Sequence, residues 1–147
     1  MIFLTVDNAM TTTVRTTDGG MTACDVARTL EDEAIGSVLV CDPETGEIRG
    51  IVTASDVIRL VASGADMEST PVEAFMSEDV VTIEPDRSVH DAALLMREHS
   101  VRRLPVLDDG ELVGIVTTTN LTHYLPRLRN TILRERAERE QALTNEQ

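Results

Sequence analysis

Residues from Val6 to Thr53 of this chain return, almost in register, from Val72 to Thr117. Val6 and Met10 recur as Val72 and Met76, and Val14 and Thr16 recur as Val80 and Thr82. Asp25, Ala27 and Asp42 match Asp91, Ala93 and Asp108. The first copy then carries a two-residue insertion in its Pro43–Gly46 turn. Beyond it Gly46-Glu47 matches Gly110-Glu111, and Gly50-Ile51-Val52-Thr53 matches Gly114-Ile115-Val116-Thr117. One gap, placed in a turn where insertions are tolerated, is the mark of an internal duplication. A unit this small cannot cover both faces of its own strands, so the two copies are expected to pack together.

Each copy reads as βαββα. A short strand, around Val14–Thr16 or Val80–Ile83, leads to a helix announced by Thr22-x-x-Asp25 or Ser88-x-x-Asp91. Both have the form of a capping box, in which hydroxyl and carboxylate each satisfy an unpaired N–H of the first turn. Val26, Ala27, Leu30 and Ala34 fall on one face of the first of these helices. Two apolar strands follow in each copy, Val38–Cys41 with Ile48–Val52 and Leu104–Leu107 with Leu112–Val116. Asp109-Gly110 is a tight-hairpin signal, and the Pro43–Gly46 loop is a longer version of it. A closing helix starts near Ala54 or Thr118, and Ala62–Asp66 reads as the linker, with order resuming at Pro71. The expected division is residues 6–64, residues 72–125 and a helical tail over residues 126–147.

The formal net charge is −13, from 26 acidic and 13 basic residues. Such a surface repels a phosphate backbone, which argues against nucleic acid as a partner. Phe3, Phe75 and Tyr124 are the only aromatic residues, too few for a base-stacking platform. Every basic residue is Arg and none is Lys. That composition points to a protein kept soluble in high salt, with GC-rich coding as the alternative. Cys24 and Cys41 lack metal-ligand spacing and read as reduced thiols, so no metal site is expected. The N-terminus has no signal-peptide pattern and no segment reaches the ~20 apolar residues of a membrane span, giving the expectation of a cytoplasmic protein.

The segment Gly50-Ile51-Val52-Thr53-Ala54-Ser55-Asp56 has the form G-h-h-T-x-x-D, where h is apolar. The second copy reads Gly114-Ile115-Val116-Thr117-Thr118-Thr119-Asn120, with Asn in the last place. With Val101-Arg102-Arg103-Leu104-Pro105-Val106, these segments resemble the CBS-domain family, over roughly Val6 to Leu125. The resemblance implies a stand-alone α/β (α+β) pair of βαββα modules with pseudo-twofold symmetry and a C-terminal helix. It further implies two clefts for adenosine-containing ligands, above all AMP, ADP or ATP, with S-adenosylmethionine or NAD as the alternatives. Cleft one would combine Thr53 and Asp56 with Val80, Val81, Arg102 and Arg103. Cleft two would combine Thr117 and Asn120 with Thr13, Val14, Gly36 and Ser37.

The chemistry of the first set is coherent. A carboxylate can accept both ribose hydroxyls through its two oxygens. Thr53 and helix N-terminal N–H groups suit phosphate oxygens, and an arginine of the Arg102-Arg103 pair can reach them. Val80 and Val81 offer backbone hydrogen bonds and an apolar wall to the base. The second set lacks both carboxylate and arginines, so cleft two is expected to be weak. The bland alternatives are that Thr53-x-x-Asp56 only caps a helix and that the arginines only pair with carboxylates such as Asp108.

No nucleophile, base and acid are brought together by any motif, and neither a P-loop nor G-x-G-x-x-G occurs, so an enzyme is not expected. His90, His99 and His123 read as structural. Leu121, Leu125, Leu128 and Ile132 recur at heptad-like spacing, followed by opposite charges at Arg134/Glu138, Glu135/Arg139 and Arg136/Glu140. That stripe suggests a homodimer. The expected function is ligand-controlled regulation of an unidentified partner protein, with no required cofactor. The alternative is a structural dimerisation module with vestigial clefts.

Overall fold

The computed structural model describes residues 4–124, 134 and 136–144. In chain order the elements are α1 (Val6–Ala9), β1 (Thr16–Thr17), α2 (Ala23–Asp32), β2 (Ser37–Cys41), β3 (Ile48–Thr53) and α3 (Ala54–Ala62). A 3-10 turn (Val72–Ala74) precedes α4 (Val89–His99), β4 (Arg103–Asp108), β5 (Glu111–Thr117) and α5 (Thr118–His123). Residues 136–144 are helical. Two compact units result: a contiguous one, Thr13–Val80, and a split one, Met1–Thr12 with Val81–Gln147.

In the contiguous unit β1 runs parallel to β2, which pairs antiparallel with β3 in the register Ser37↔Thr53, Val38↔Val52 and Leu39↔Ile51. Helix α2 buries Ala23, Val26 and Leu30, one face at helical spacing, and Val26 and Leu30 share a core with Val38, Val40 and Val52. Ala34 does not extend that face. It lies past the helix end with φ of 51° and is exposed. Ile35 N–H donates to the Leu30 carbonyl and Ala34 N–H to the Glu31 carbonyl, so Ala34 fills the left-handed position of a Schellman cap. Ser100 does the same after α4, with φ of 55°.

The split unit pairs β4 with β5 through a two-residue turn at Asp109 (φ 50°) and Gly110 (φ 82°), the geometry the Asp-Gly pair favours. Its core comprises Val6, Ala9, Ile83, Val89, Ala92, Met96, Leu104, Val106 and Val116. The expected strand over Val80–Ile83 contracts to a single bridge between Ile83 and Val106. Proline explains the loss. In the first copy Leu39 N–H donates to the Arg15 carbonyl at 2.9 Å. The matching position on β4 is Pro105, which has no N–H to give Val81.

The ends of the repeats change places between the units. Thr11 exchanges both backbone hydrogen bonds with Ile115 in the split unit, and Ser77 exchanges both with Ile51 in the contiguous one. The motif glycines permit this approach. A Cβ on Gly50 would lie 2.5 Å from Met76 Sδ and 2.9 Å from the Ser77 carbonyl oxygen. One on Gly114 would lie 2.7 Å from Met10 Sδ and 2.8 Å from the Thr11 carbonyl oxygen. The matched Met–Gly pairs of the repeat are therefore packing partners.

The two expected capping boxes at α2 and α4 form only by half. Thr22 and Ser88 accept from the N–H of Asp25 and Asp91, at 3.2 and 3.0 Å. The carboxylates meet arginines: Asp91 accepts from Arg87 Nε at 3.1 Å, and Asp25 lies 3.8 Å from Arg28. In the tail Arg136 and Glu140 approach to 3.7 Å. Leu125, Leu128 and Ile132 lie outside the described residues, so the apolar stripe has no structural account beyond Leu121.

Candidate ligand-binding site

Complete capping boxes occur at the two G-h-h-T-x-x-[D/N] motifs. Thr53, extended at the end of β3, accepts from Asp56 N–H through its hydroxyl. Asp56 Oδ2 accepts from Thr53 N–H at 2.8 Å and from the Thr53 hydroxyl at 3.1 Å. Thr117 and Asn120 repeat this arrangement, with Asn120 Oδ1 accepting from Thr117 N–H at 2.9 Å and from its hydroxyl at 3.0 Å. Asparagine carries one carbonyl oxygen, and one is all the box requires. The backbone of the motif therefore survives the change from Asp to Asn.

The remaining polar atom separates the copies. Asp56 Oδ1 accepts from Arg59 Nη2 at 2.6 Å. Asn120 Nδ2 donates to the Thr11 hydroxyl at 3.3 Å. The Asp56 carboxylate thus does not present two unoccupied oxygens to a diol: Oδ2 holds the box and Oδ1 holds Arg59. Sequence reasoning missed Arg59, although a cation three residues after an acid on a helix is a readable pair.

The contiguous unit holds Thr13, Val14, Gly36, Ser37, Thr53, Asp56 and Val80, and the split unit holds Val81, Arg102, Arg103, Thr117 and Asn120. Within the contiguous unit Ser37 stands opposite Thr53. Within the split unit Arg103 stands opposite Thr117, and the Arg102 carbonyl accepts from Thr118 N–H at 3.0 Å. Each T-x-x-[D/N] turn therefore borders the strand entry of its own repeat. Arg102 is exposed and Arg103 half-buried. Burial first, and then the adjacent Arg102 charge, lower the pKa of Arg103. Neither arginine forms an ion pair among the described residues, so the pairing with Asp108 is not realised. Two adjacent cations that pair with no described carboxylate suit an anion.

A depression of about 780 Å³ in the split unit is lined by Asp7, Glu84, Asp86, Asp108 and Asp109 together with Arg87. That carboxylate rim disfavours a phosphate, and the depression includes no residue of either predicted set. Among the described residues no group of His, Cys, Asp and Glu side chains is placed to hold a metal ion. No described helix is long and apolar enough to cross a membrane.

The CBS domain profile matches this chain twice, over residues 6–63 and 72–127. The chain belongs to the CBS-domain family. It is 37% identical over 117 residues to the CBS domain-containing protein YhcV of Bacillus subtilis, covering 79% of this chain and 81% of that one. It is 38% identical over 116 residues to the uncharacterized protein MK0525 of Methanopyrus kandleri, covering 78% of this chain but only 59% of that relative's length. The fold matches the CBS domain pair of protein MJ0100, solved in complex with 5′-methylthioadenosine and S-adenosyl-L-methionine. There the TM-score is 0.76 at 23% identity, covering 85% of this chain and 98% of that one. This CBS pair has the α/β architecture expected of it, with two repeats of sheet and helices and a C-terminal helix.

Proposed function

We propose that this CBS pair is a regulatory module that binds an adenine nucleotide, AMP, ADP or ATP, and alters its affinity for a partner protein in response. The observation that carries the reading is the Thr53–Asp56 box, which holds a carboxylate in fixed orientation at the start of α3. In this reading Asp56 takes the ribose hydroxyls, Thr53 and the Arg102-Arg103 pair take phosphate oxygens, and Val80 and Val81 border the base. Thr13, Val14, Gly36, Ser37, Thr117 and Asn120 form a second, weaker set. That each set draws on both units rests on the family resemblance. A ligand that favours one of two conformations shifts the population toward it, and this is how occupancy would reach the partner. The module acts in the cytoplasm as a homodimer and carries out no reaction of its own.

The ligands of the MJ0100 pair favour a second reading, a sensor of S-adenosylmethionine or a related thioadenosine. Thermal melting with AMP, ADP, ATP, S-adenosylmethionine, 5′-methylthioadenosine and NAD separates the two. A ligand bound only by the folded state stabilises it by about 2.7 kcal/mol at a hundredfold excess over Kd. The nucleotide reading expects the largest upward shift with AMP, ADP or ATP. A larger shift with the sulfur compounds supports the second reading, and no shift with any of them at millimolar concentration supports a purely structural module.

A further inference from the structure

The carboxylate on which that reading turns is already in contact with a cation of its own helix. Asp56 Oδ1 meets Arg59 Nη2 at 2.6 Å, with side-chain exposures of 11% for Asp56 and 74% for Arg59. The other oxygen is held in the capping box by the Thr53 N–H and hydroxyl. A ribose hydroxyl seeking Oδ1 therefore competes with a guanidinium that lies mostly in solvent. Among the described residues the second motif has no such competitor. Asn120 is followed three residues later by His123, which meets Tyr124 edge-on with ring centroids 5.4 Å apart.

We infer that Arg59 is a specificity-determining residue, selecting anionic nucleotides over neutral nucleosides at the Asp56 site. The inference rests on the reading of Asp56 as the ribose acceptor. When a hydroxyl takes Oδ1, the guanidinium loses its partner. A neutral nucleoside leaves that cation unpaired, whereas a phosphorylated ligand supplies a new anion within the reach of one flexible side chain. Arginine suits the exchange, because its planar fork matches carboxylate and phosphate alike. With a net charge of −13 over the chain, a cation beside the site also offsets the general repulsion of an anionic ligand. Exposed ion pairs are weak, so the discrimination against a neutral nucleoside from this source is at most about fivefold.

Calorimetric titration of adenosine and ATP into wild type, R59A and R59K, at matched ionic strength, tests the inference. R59A should bind adenosine more tightly by up to about fivefold and ATP more weakly, moving the ratio of the two Kd values by at least about threefold. R59K retains a cation at that position and should keep the ratio near that of wild type. In a D56A background, R59A should no longer improve adenosine binding, because the contested oxygen is gone. A ratio unchanged in R59A, or both ligands weakened by one common factor, overturns the inference and leaves Arg59 a structural role. If wild type binds neither compound, the proposed function falls and the inference falls with it. If wild type binds both and the ratio does not move, only the inference falls.

Discussion

The two T-x-x-[D/N] turns share one backbone and differ in what their last side chain does with its spare atom. At Thr53–Asp56 the spare oxygen accepts from Arg59 of the same helix. At Thr117–Asn120 the spare amide donates to Thr11, a residue from the other end of the chain. The capping box needs one acceptor oxygen, which Asp and Asn both supply, so the turn persists while its chemistry diverges. One copy retains a carboxylate paired with a cation of its own helix. The other holds the N-terminal segment, alongside the Tyr124 hydroxyl, which donates to the Asn8 carbonyl at 2.8 Å. A duplicated fold thus constrains the backbone more tightly than it constrains side-chain contacts.

If the shared backbone depends on close approach at the motif glycines, Gly50→Ala and Gly114→Ala should be damaging to similar degrees. Each forces a Cβ against a methionine side chain and a backbone carbonyl, so a loss of about 1–3 kcal/mol is expected in denaturant unfolding. Adding Met76→Ala to Gly50→Ala should restore only part of the loss, because the Ser77 carbonyl remains 2.9 Å from the new atom. Full restoration would assign the constraint to the sulfur alone.

A smaller effect probes the missing strand. Pro105→Val returns an N–H to β4, and amide exchange at position 105 should show protection, as Leu39 should in the first copy. Stability should change by no more than ~1 kcal/mol, since the gained hydrogen bond is offset by a more flexible unfolded chain. A freely exchanging amide at 105 would mean that proline is not what shortens the strand.

The smallest effect lies in acid. Hydrogen bonds from the backbone N–H groups of Glu44 and Thr45 hold the pKa of Asp42 below its ordinary value. The Arg87 side chain does the same for Asp91, with a smaller contribution from Ser88. A carboxylate with a lowered folded pKa contributes stability that is complete above the unfolded value, about 4. That contribution fades as pH falls below 4 through the lowered folded value. Asp42→Asn and Asp91→Asn should each flatten the acid limb of a stability profile slightly. Added salt should weaken the contribution of Asp91, which pairs with a cation, more than that of Asp42, which accepts from backbone. An unchanged acid limb in both variants would contradict this.

Much of this fold was legible in the sequence because the duplication let each copy check the other. The strands Val38–Cys41 and Leu104–Leu107, their hairpin partners, and helices starting at Ala54 and Thr118 all occur where pattern and turn chemistry place them. The misses have local causes. Ala34 looked like a core position by spacing, but the chain had already reversed into a Schellman cap. Val80–Ile83 looked like a strand, and its partner's proline allows only one bridge. The exchange of Thr11 and Ser77 between units was not visible, because periodicity reports which face is apolar and not which neighbour covers it. At the site, the capping geometry was readable from Thr53-x-x-Asp56, whereas the Arg59 contact depends on a rotamer.

The inequality of the two turns is tested most directly by calorimetric titration of the tightest-binding adenine nucleotide into Asp56→Ala and Asn120→Ala. Asp56→Ala should weaken binding by ~1.5–3 kcal/mol, the range for a hydrogen bond to a charged group, while Asn120→Ala should change Kd by less than about threefold. If Asn120→Ala abolishes binding and Asp56→Ala leaves it intact, the ligand belongs to the other turn and the account is wrong.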